Sequence, residues 1–96
     1  MEFLVAYDVS TETAAGRKRL RRVAEACEGF GQRVQKSVFE CSLNEVQLEQ
    51  LKHRLRSEAD LVQDSLRIYR LREPRQRYLY TMGRQMVHDL HDPLVV

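Results

Sequence analysis

The chain has few of the residues that usually betray a small domain's chemistry. Its 96 residues include two cysteines, three histidines, two prolines and four glycines. Cys27 and Cys41 have neither metal-site spacing nor a vicinal partner, which argues against a zinc ribbon or a disulfide framework. Both read as small buried hydrophobes of a reducing compartment. Neither stands beside a candidate base, so a catalytic thiol has no support. The glycines form no phosphate-cradling loop, which leaves a small-molecule-binding regulatory domain without a signature. No apolar run approaches the length of a membrane span. Glu2 sits where a secretory leader would be basic, and the first apolar run ends at Asp8. The expectation is a cytoplasmic protein with no membrane association. Repeats, low-complexity tracts and linkers are missing too. Residues 1–96 therefore read as one domain, with a modest core that dimerisation would help to stabilise.

What the chain does have begins at Phe3–Ser10, FLVAYDVS. Five apolar or aromatic residues, Phe3 to Tyr7, run unbroken into Asp8, and the run predicts a strand buried on both faces. An acid at such a strand end is not there for packing. A buried carboxylate costs several kcal/mol unless a cation or hydrogen-bond donors compensate it. Asp8 is therefore either a cap for the following helix or the ligand of something positive.

Hydrophobic residues make up 43% of the chain and charged residues 31%, an ordinary globular composition. The net charge is only +2, but it is unevenly spread. Arg17, Lys18, Arg19, Arg21 and Arg22 crowd together, and a second group runs Arg67, Arg70, Arg72, Arg75, Arg77, Arg84. Arginine suits bidentate phosphate contacts better than lysine does. A lone charge run is usually a solvated helix face. Two arginine groups plus a strand-end carboxylate point instead towards a polyanionic partner.

Along the chain, Ser10, Thr11 and Thr13 are N-cap candidates for a helix over 14–28. Its apolar positions Leu20, Val23, Ala24 and Cys27 recur at helical spacing, and Gly29 and Gly31 end it. GQRVQKSVFECSL predicts two short strands bent near Lys36–Ser37. Asn44 caps a second helix reaching Ala59, with Leu48, Leu51 and Leu55 on one face. Residues 64–71, DSLRIYRL, predict a strand with Leu66 and Ile68 on one side and Arg67, Tyr69 and Leu71 on the other. Glu73-Pro74 breaks it, Tyr78–Met82 reads as a further strand, and Asp92-Pro93 precedes Leu94–Val96. The fold class is α+β. The order strand, helix, strand, strand, helix, strand matches the ferredoxin-like βαββαβ plan, with extra C-terminal strand character. Two helices on one face leave the other face needing cover, which a second copy could provide. Residues 84–96 are read as a tail that pairs with the other protomer.

Four stretches together resemble a known family. YDVS at 7–10, RKRLRRVAEAC at 17–27, GQRVQKSVFEC at 31–41 and DSLRIYRL at 64–71 are similar, in order and spacing, to the small CRISPR-associated adaptation proteins of the Cas-two family. The closing DPLVV is also similar. The resemblance implies a ferredoxin-like homodimer acting with the Cas-one integrase in spacer acquisition. It further implies metal-dependent endonuclease activity on RNA or double-stranded DNA, with Mg²⁺ or Mn²⁺ as cofactor. The family's metal-binding acid falls on Asp8, and Tyr7, Arg33 and Phe39 match further family positions. On this reading Asp8 and Tyr7 are catalytic and Asp8 binds the metal. The first-helix arginines match the family only by character. It is charge clustered beside the expected site that leads us to expect Arg17, Arg19, Arg21 and Arg33 to contact nucleic-acid phosphates, while Ser10 and Phe39 lie near the site. One carboxylate per chain is thin equipment for a nuclease, and a dimer axis between two copies of Asp8 would supply a pair. His53, His88 and His91 are all distant in sequence, so the ion itself would activate the attacking water. The competing reading is a scaffold that holds DNA between integrase copies. It needs the arginines but not Asp8.

Overall fold

The computed structural model describes residues 1–85. Strand β1 covers Glu2–Asp8, helix α1 Ala14–Glu28, β2 Gln32–Gln35, β3 Val38–Ser42, α2 Glu45–Glu58 and β4 Ser65–Leu71. A single 3₁₀ turn, Arg75–Arg77, follows. The strands form one antiparallel sheet in the order β2-β3-β1-β4. This is the expected ferredoxin-like arrangement, and it makes β1 a central strand.

The core lies between the sheet and the helices. Phe3, Val5 and Tyr7 from β1 and Phe39 and Cys41 from β3 meet Val23, Ala24, Ala26 and Cys27 of α1 and Leu51 and Leu55 of α2. The apolar run of β1 is not buried on both faces, as its composition suggested. Phe3, Val5 and Tyr7 are buried, Leu4 and Ala6 are half-buried, and Asp8 is exposed. Successive strand residues point to opposite faces, and the helices cover only one of them.

Both helices start where side chains can serve their orphan amides. Thr13 Oγ1 accepts from the Gly16 amide at 3.0 Å and is the N-cap of α1. Asp8 is therefore not the cap. Asn44 and Gln47 form a reciprocal capping box on α2. Helix α1 ends at Gly29, whose amide bonds the carbonyls of Glu25 and Ala26. Gly31 then lets the chain enter β2, because a Cβ there would press on Cys41 Sγ and the Glu40 carbonyl. Strands β2 and β3 turn at Lys36–Ser37, with a register shift between Arg33 and Gln35. In β4, Leu66 and Ile68 pack against the core while Arg67 and Tyr69 are exposed.

One predicted element is absent. Residues 78–82 form no strand; Tyr78, Leu79, Tyr80 and Met82 are exposed beyond the 3₁₀ turn. Their aromatic and apolar side chains suit a strand, but no described segment lies alongside to complete a ladder. The segment entering the turn does reach the helix-free face of the sheet, where Arg75 pairs with Glu2 at 3.0 Å and Glu40 at 3.7 Å. The predicted tail strand Leu94–Val96, with His88 and His91, lies outside the described residues.

Candidate functional site

Asp8 closes β1 on the face without helices, exposed to solvent. Its register partner across the ladder is Ser65, and Ala6 stands opposite Arg67 one pair earlier. Arg67 is thus a diagonal neighbour of Asp8 on the same face, and it donates to the Tyr69 hydroxyl at 3.0 Å. Among the described residues the Asp8 carboxylate makes no side-chain hydrogen bond and no ion pair. Nor do these residues contain a group of three or more His, Cys, Asp or Glu side chains able to hold a metal ion. At this point the described residues offer a cation the free Asp8 carboxylate, with no group of three or more ligating side chains around it.

The turn after Asp8 is tightly held. Val9 is buried. The Ser10 amide donates to Asp64 Oδ1 at 3.1 Å, and Arg17 Nη1 donates to the Thr11 carbonyl at 3.2 Å. The Ser10 carbonyl lies directly over Gly16, leaving no room for a Cβ. Asp64, whose side chain is 0% exposed, also accepts from Arg19 Nε at 2.9 Å, Arg19 Nη2 at 3.3 Å and the Asp60 amide at 2.9 Å. Burial pushes the Asp64 carboxyl upward. The hydrogen bonds from Arg19 and from the Asp60 and Ser10 amides outweigh it and leave the carboxyl below its ordinary value.

Of the arginines expected at a phosphate, Arg17 and Arg21 are exposed on α1, as are Lys18 and Arg22. The Arg21–Glu25 pair, at 3.9 Å and well solvated, leaves Arg21 available. Arg19 is instead turned into the protein and committed to Asp64. Arg33 is half-buried, its guanidinium 5.1 Å from the Phe39 ring centre and 3.6 Å from Glu28. Its Nε is buried without a partner among the described residues.

Tyr7 and Asp8 do not share a site. Adjacent on a strand, they face opposite ways. Tyr7 is buried on the helix side, its ring stacked on Phe39 with centres 6.2 Å apart and its hydroxyl donating to the Lys36 carbonyl at 3.4 Å. Burial is the main cause of its raised pKa, with Cys27 adding and Arg33 opposing. The expected catalytic pair is thus divided by the sheet, and Tyr7, Phe39 and Arg33 form a core cluster beneath it. The cysteines behave as predicted. Burial, reinforced by Cys41, pushes Cys27 up to about 12, and burial followed by Glu2 pushes Cys41 up to about 11, so both remain unreactive thiols. His53 is an exposed residue of α2.

Two residues near Asp8 carried no sequence signal of their own. Asp64 read only as the first residue of a strand, and its partners lie 45 and 54 positions away. Arg67 read only as part of a charge group.

Comparison with known proteins gives a consistent result. The family model described as "CRISPR associated protein Cas2" matches residues 1–78. A Moorella thermoacetica protein named CRISPR-associated endoribonuclease Cas2 1 is 62% identical over 96 residues, covering 100% of both chains. A Halalkalibacterium halodurans protein named CRISPR-associated endonuclease Cas2 is 48% identical over 95 residues, covering 99% of each. The crystal structure of Streptococcus pyogenes Cas2 at pH 6.5 superposes with a TM-score of 0.79 at 53% identity, covering 86% of this chain and 100% of that one.

Proposed function

This chain belongs to the CRISPR-associated Cas2 family, and from that membership we propose that it is a metal-dependent phosphodiester endonuclease of CRISPR adaptation. The observation that carries the nuclease reading is Asp8, an exposed carboxylate with no partner among the described residues, at the end of a central strand. The names of its relatives supply the substrate class, RNA for the Moorella protein and nucleic acid more generally for the Halalkalibacterium one.

The residues present suit a magnesium or manganese ion. Mg²⁺ characteristically takes one or two carboxylates and completes its shell with water and substrate phosphate. Asp8 is the residue that would hold it, and a second copy of the chain in a homodimer brings a second Asp8. When bound, the ion supplies Lewis acidity to the phosphodiester and lowers the pKa of water. The rest is the work of the chain. Arg17 and Arg21 bind backbone phosphates, helped by Lys18. Arg19 and Arg33 are paired with Asp64 and Glu28 and present no free guanidinium. Ser10 carries the turn that fixes Asp8, and Phe39 supports Tyr7 and Arg33 from below. In the cell the dimer acts with the Cas-one integrase during spacer acquisition, a partnership that rests on the family resemblance.

A second reading, a non-catalytic DNA-holding scaffold of the integration complex, is favoured by one observation. Among the described residues no group of three or more His, Cys, Asp or Glu side chains able to hold a metal forms around Asp8, while four cations are exposed along α1. Cleavage and spacer-integration assays on Asp8→Asn decide between the two. Loss of cleavage together with integration supports a nuclease needed for adaptation. Loss of cleavage with full integration makes the scaffold the cellular role. Full cleavage by the purified variant removes the nuclease reading.

A further inference from the structure

Among the described residues Asp64 is the only charged residue that is buried, and neither core packing nor the phosphate chemistry proposed above uses it. Its carboxylate gathers three separate segments: the turn after β1 through Ser10, α1 through Arg19, and the turn before β4 through Asp60. All three meet at the end of β1. Ser10 is two residues beyond Asp8, and Ser65, which follows Asp64, is the register partner of Asp8. The same turn is held on its other side, where the Ser10 carbonyl rests on Gly16 and Arg17 reaches the Thr11 carbonyl. Both the amide and the carbonyl of Ser10 are therefore fixed.

A buried ion pair is a poor way merely to join elements, since apolar side chains of the same volume commonly do as well or better. What apolar side chains cannot do is accept the Ser10 amide hydrogen and set the direction of the chain leaving Asp8. We propose that Asp64 is a positioning residue for Asp8, acting with Arg19 through the Ser10 amide to hold the strand-end carboxylate ready for a divalent cation. This rests on reading Asp8 as the cation-binding group. It also gives Arg19 a different task from Arg17 and Arg21, that of orienting the site rather than touching nucleic acid. The logic is that of the outer hydrogen-bond partners that orient ligands at other metal sites.

The test measures Mn²⁺ binding to the full chain by electron paramagnetic resonance, alongside hydrogen exchange at the Ser10 amide. The variants are Asp64→Asn, Arg19→Gln, Asp8→Asn and Leu51→Ala, the last a core truncation away from the turn. Loss of outer-shell partners typically weakens metal affinity or activity about 10- to 100-fold, and that is the loss expected for Asp64→Asn and Arg19→Gln. Ser10 exchange should accelerate in both. Leu51→Ala should lower the melting temperature yet keep the wild-type affinity. Affinity within about twofold of wild type in folded Asp64→Asn, where a positioning role predicts at least tenfold, overturns the proposal. If that variant does not fold, Arg19→Gln is judged by the same criterion. An equal loss of affinity in Leu51→Ala also overturns it, by reducing the effect to general stability. Asp8→Asn separates the two readings. If it still binds Mn²⁺ like wild type, the metal reading of Asp8 fails and the proposal falls with it. If it loses binding while Asp64→Asn keeps it, only the positioning role is lost.

Discussion

Asp64 holds a negative charge where water scarcely reaches, and its hydrogen bonds decide when that charge is lost. Its folded-state pKa lies below the ordinary value, so it stabilises the native state above that value, and the contribution disappears as pH falls through the folded pKa. Urea unfolding followed from about pH 6 downward should therefore show wild type losing its advantage over Asp64→Asn from about pH 5. Parallel curves would show that the pair contributes nothing to acid stability. At neutral pH the variant should cost about 3 kcal/mol, the low end for breaking a buried pair, because Arg19 keeps some access to water. Gly16 gives a second residue-level case. Alanine usually gains about 1 kcal/mol over glycine inside an exposed helix. Here the added methyl would push against the Ser10 carbonyl, with Thr13 Oγ1 also close at 3.4 Å. Gly16→Ala should reverse the usual sign and destabilise by about 1–3 kcal/mol in the same denaturation experiment.

Helix α1 divides its cations between two tasks, and salt dependence can tell them apart. Arg17 and Arg21 are solvated and available to phosphates. Each phosphate contact to duplex DNA releases counterions worth about 0.9 in the slope of log affinity against log salt. The double variant Arg17→Ala, Arg21→Ala should flatten that slope by about 1.8, measured by fluorescence anisotropy over a potassium chloride series. An unchanged slope would make these arginines a solvated face. The helix was readable because its signals are local: an N-cap threonine, apolar residues at helical spacing and a closing glycine. The N-cap Asn44 and the leucines at 48, 51 and 55 made α2 equally plain, and the bend at Lys36–Ser37 followed from strand length alone. Residues 78–82 misled for a physical reason, since a run of strand-forming side chains such as Tyr78, Leu79 and Tyr80 makes a strand only where a neighbour completes its hydrogen bonds. That Tyr7 and Asp8 face opposite ways was not legible in the family resemblance, because neighbours in sequence become opposed across a sheet. Asp64 was invisible because every partner that explains it, apart from Asp60, is brought close only by the fold.

At the scale of the whole molecule, the sheet has one face packed by helices and one face where Leu4, Ala6 and Asp8 stand with only partial cover. Half-buried apolar residues beside an exposed carboxylate suit a surface that meets a second copy of itself. In a two-fold dimer the same patch lies on both sides of the axis. If one ion is held between two copies of Asp8, each catalytic unit needs two intact chains. Mixing wild type with Asp8→Asn, after denaturation and refolding to allow exchange, then gives a sharp test. At equal amounts only about one quarter of random two-fold dimers carry both carboxylates, so the cleavage rate should fall to about one quarter rather than one half. A linear dependence on the wild-type fraction would mean that each chain cleaves on its own, and the shared-ion arrangement would be wrong. Because exposed charge pairs contribute little to association, the mixing result should be unchanged by moderate salt if the apolar face carries the contact. Dissociation of the wild-type dimer at about 0.5 M salt, where charges beyond a few ångströms are screened, followed by sedimentation, would show instead that the dimer is held by its charges.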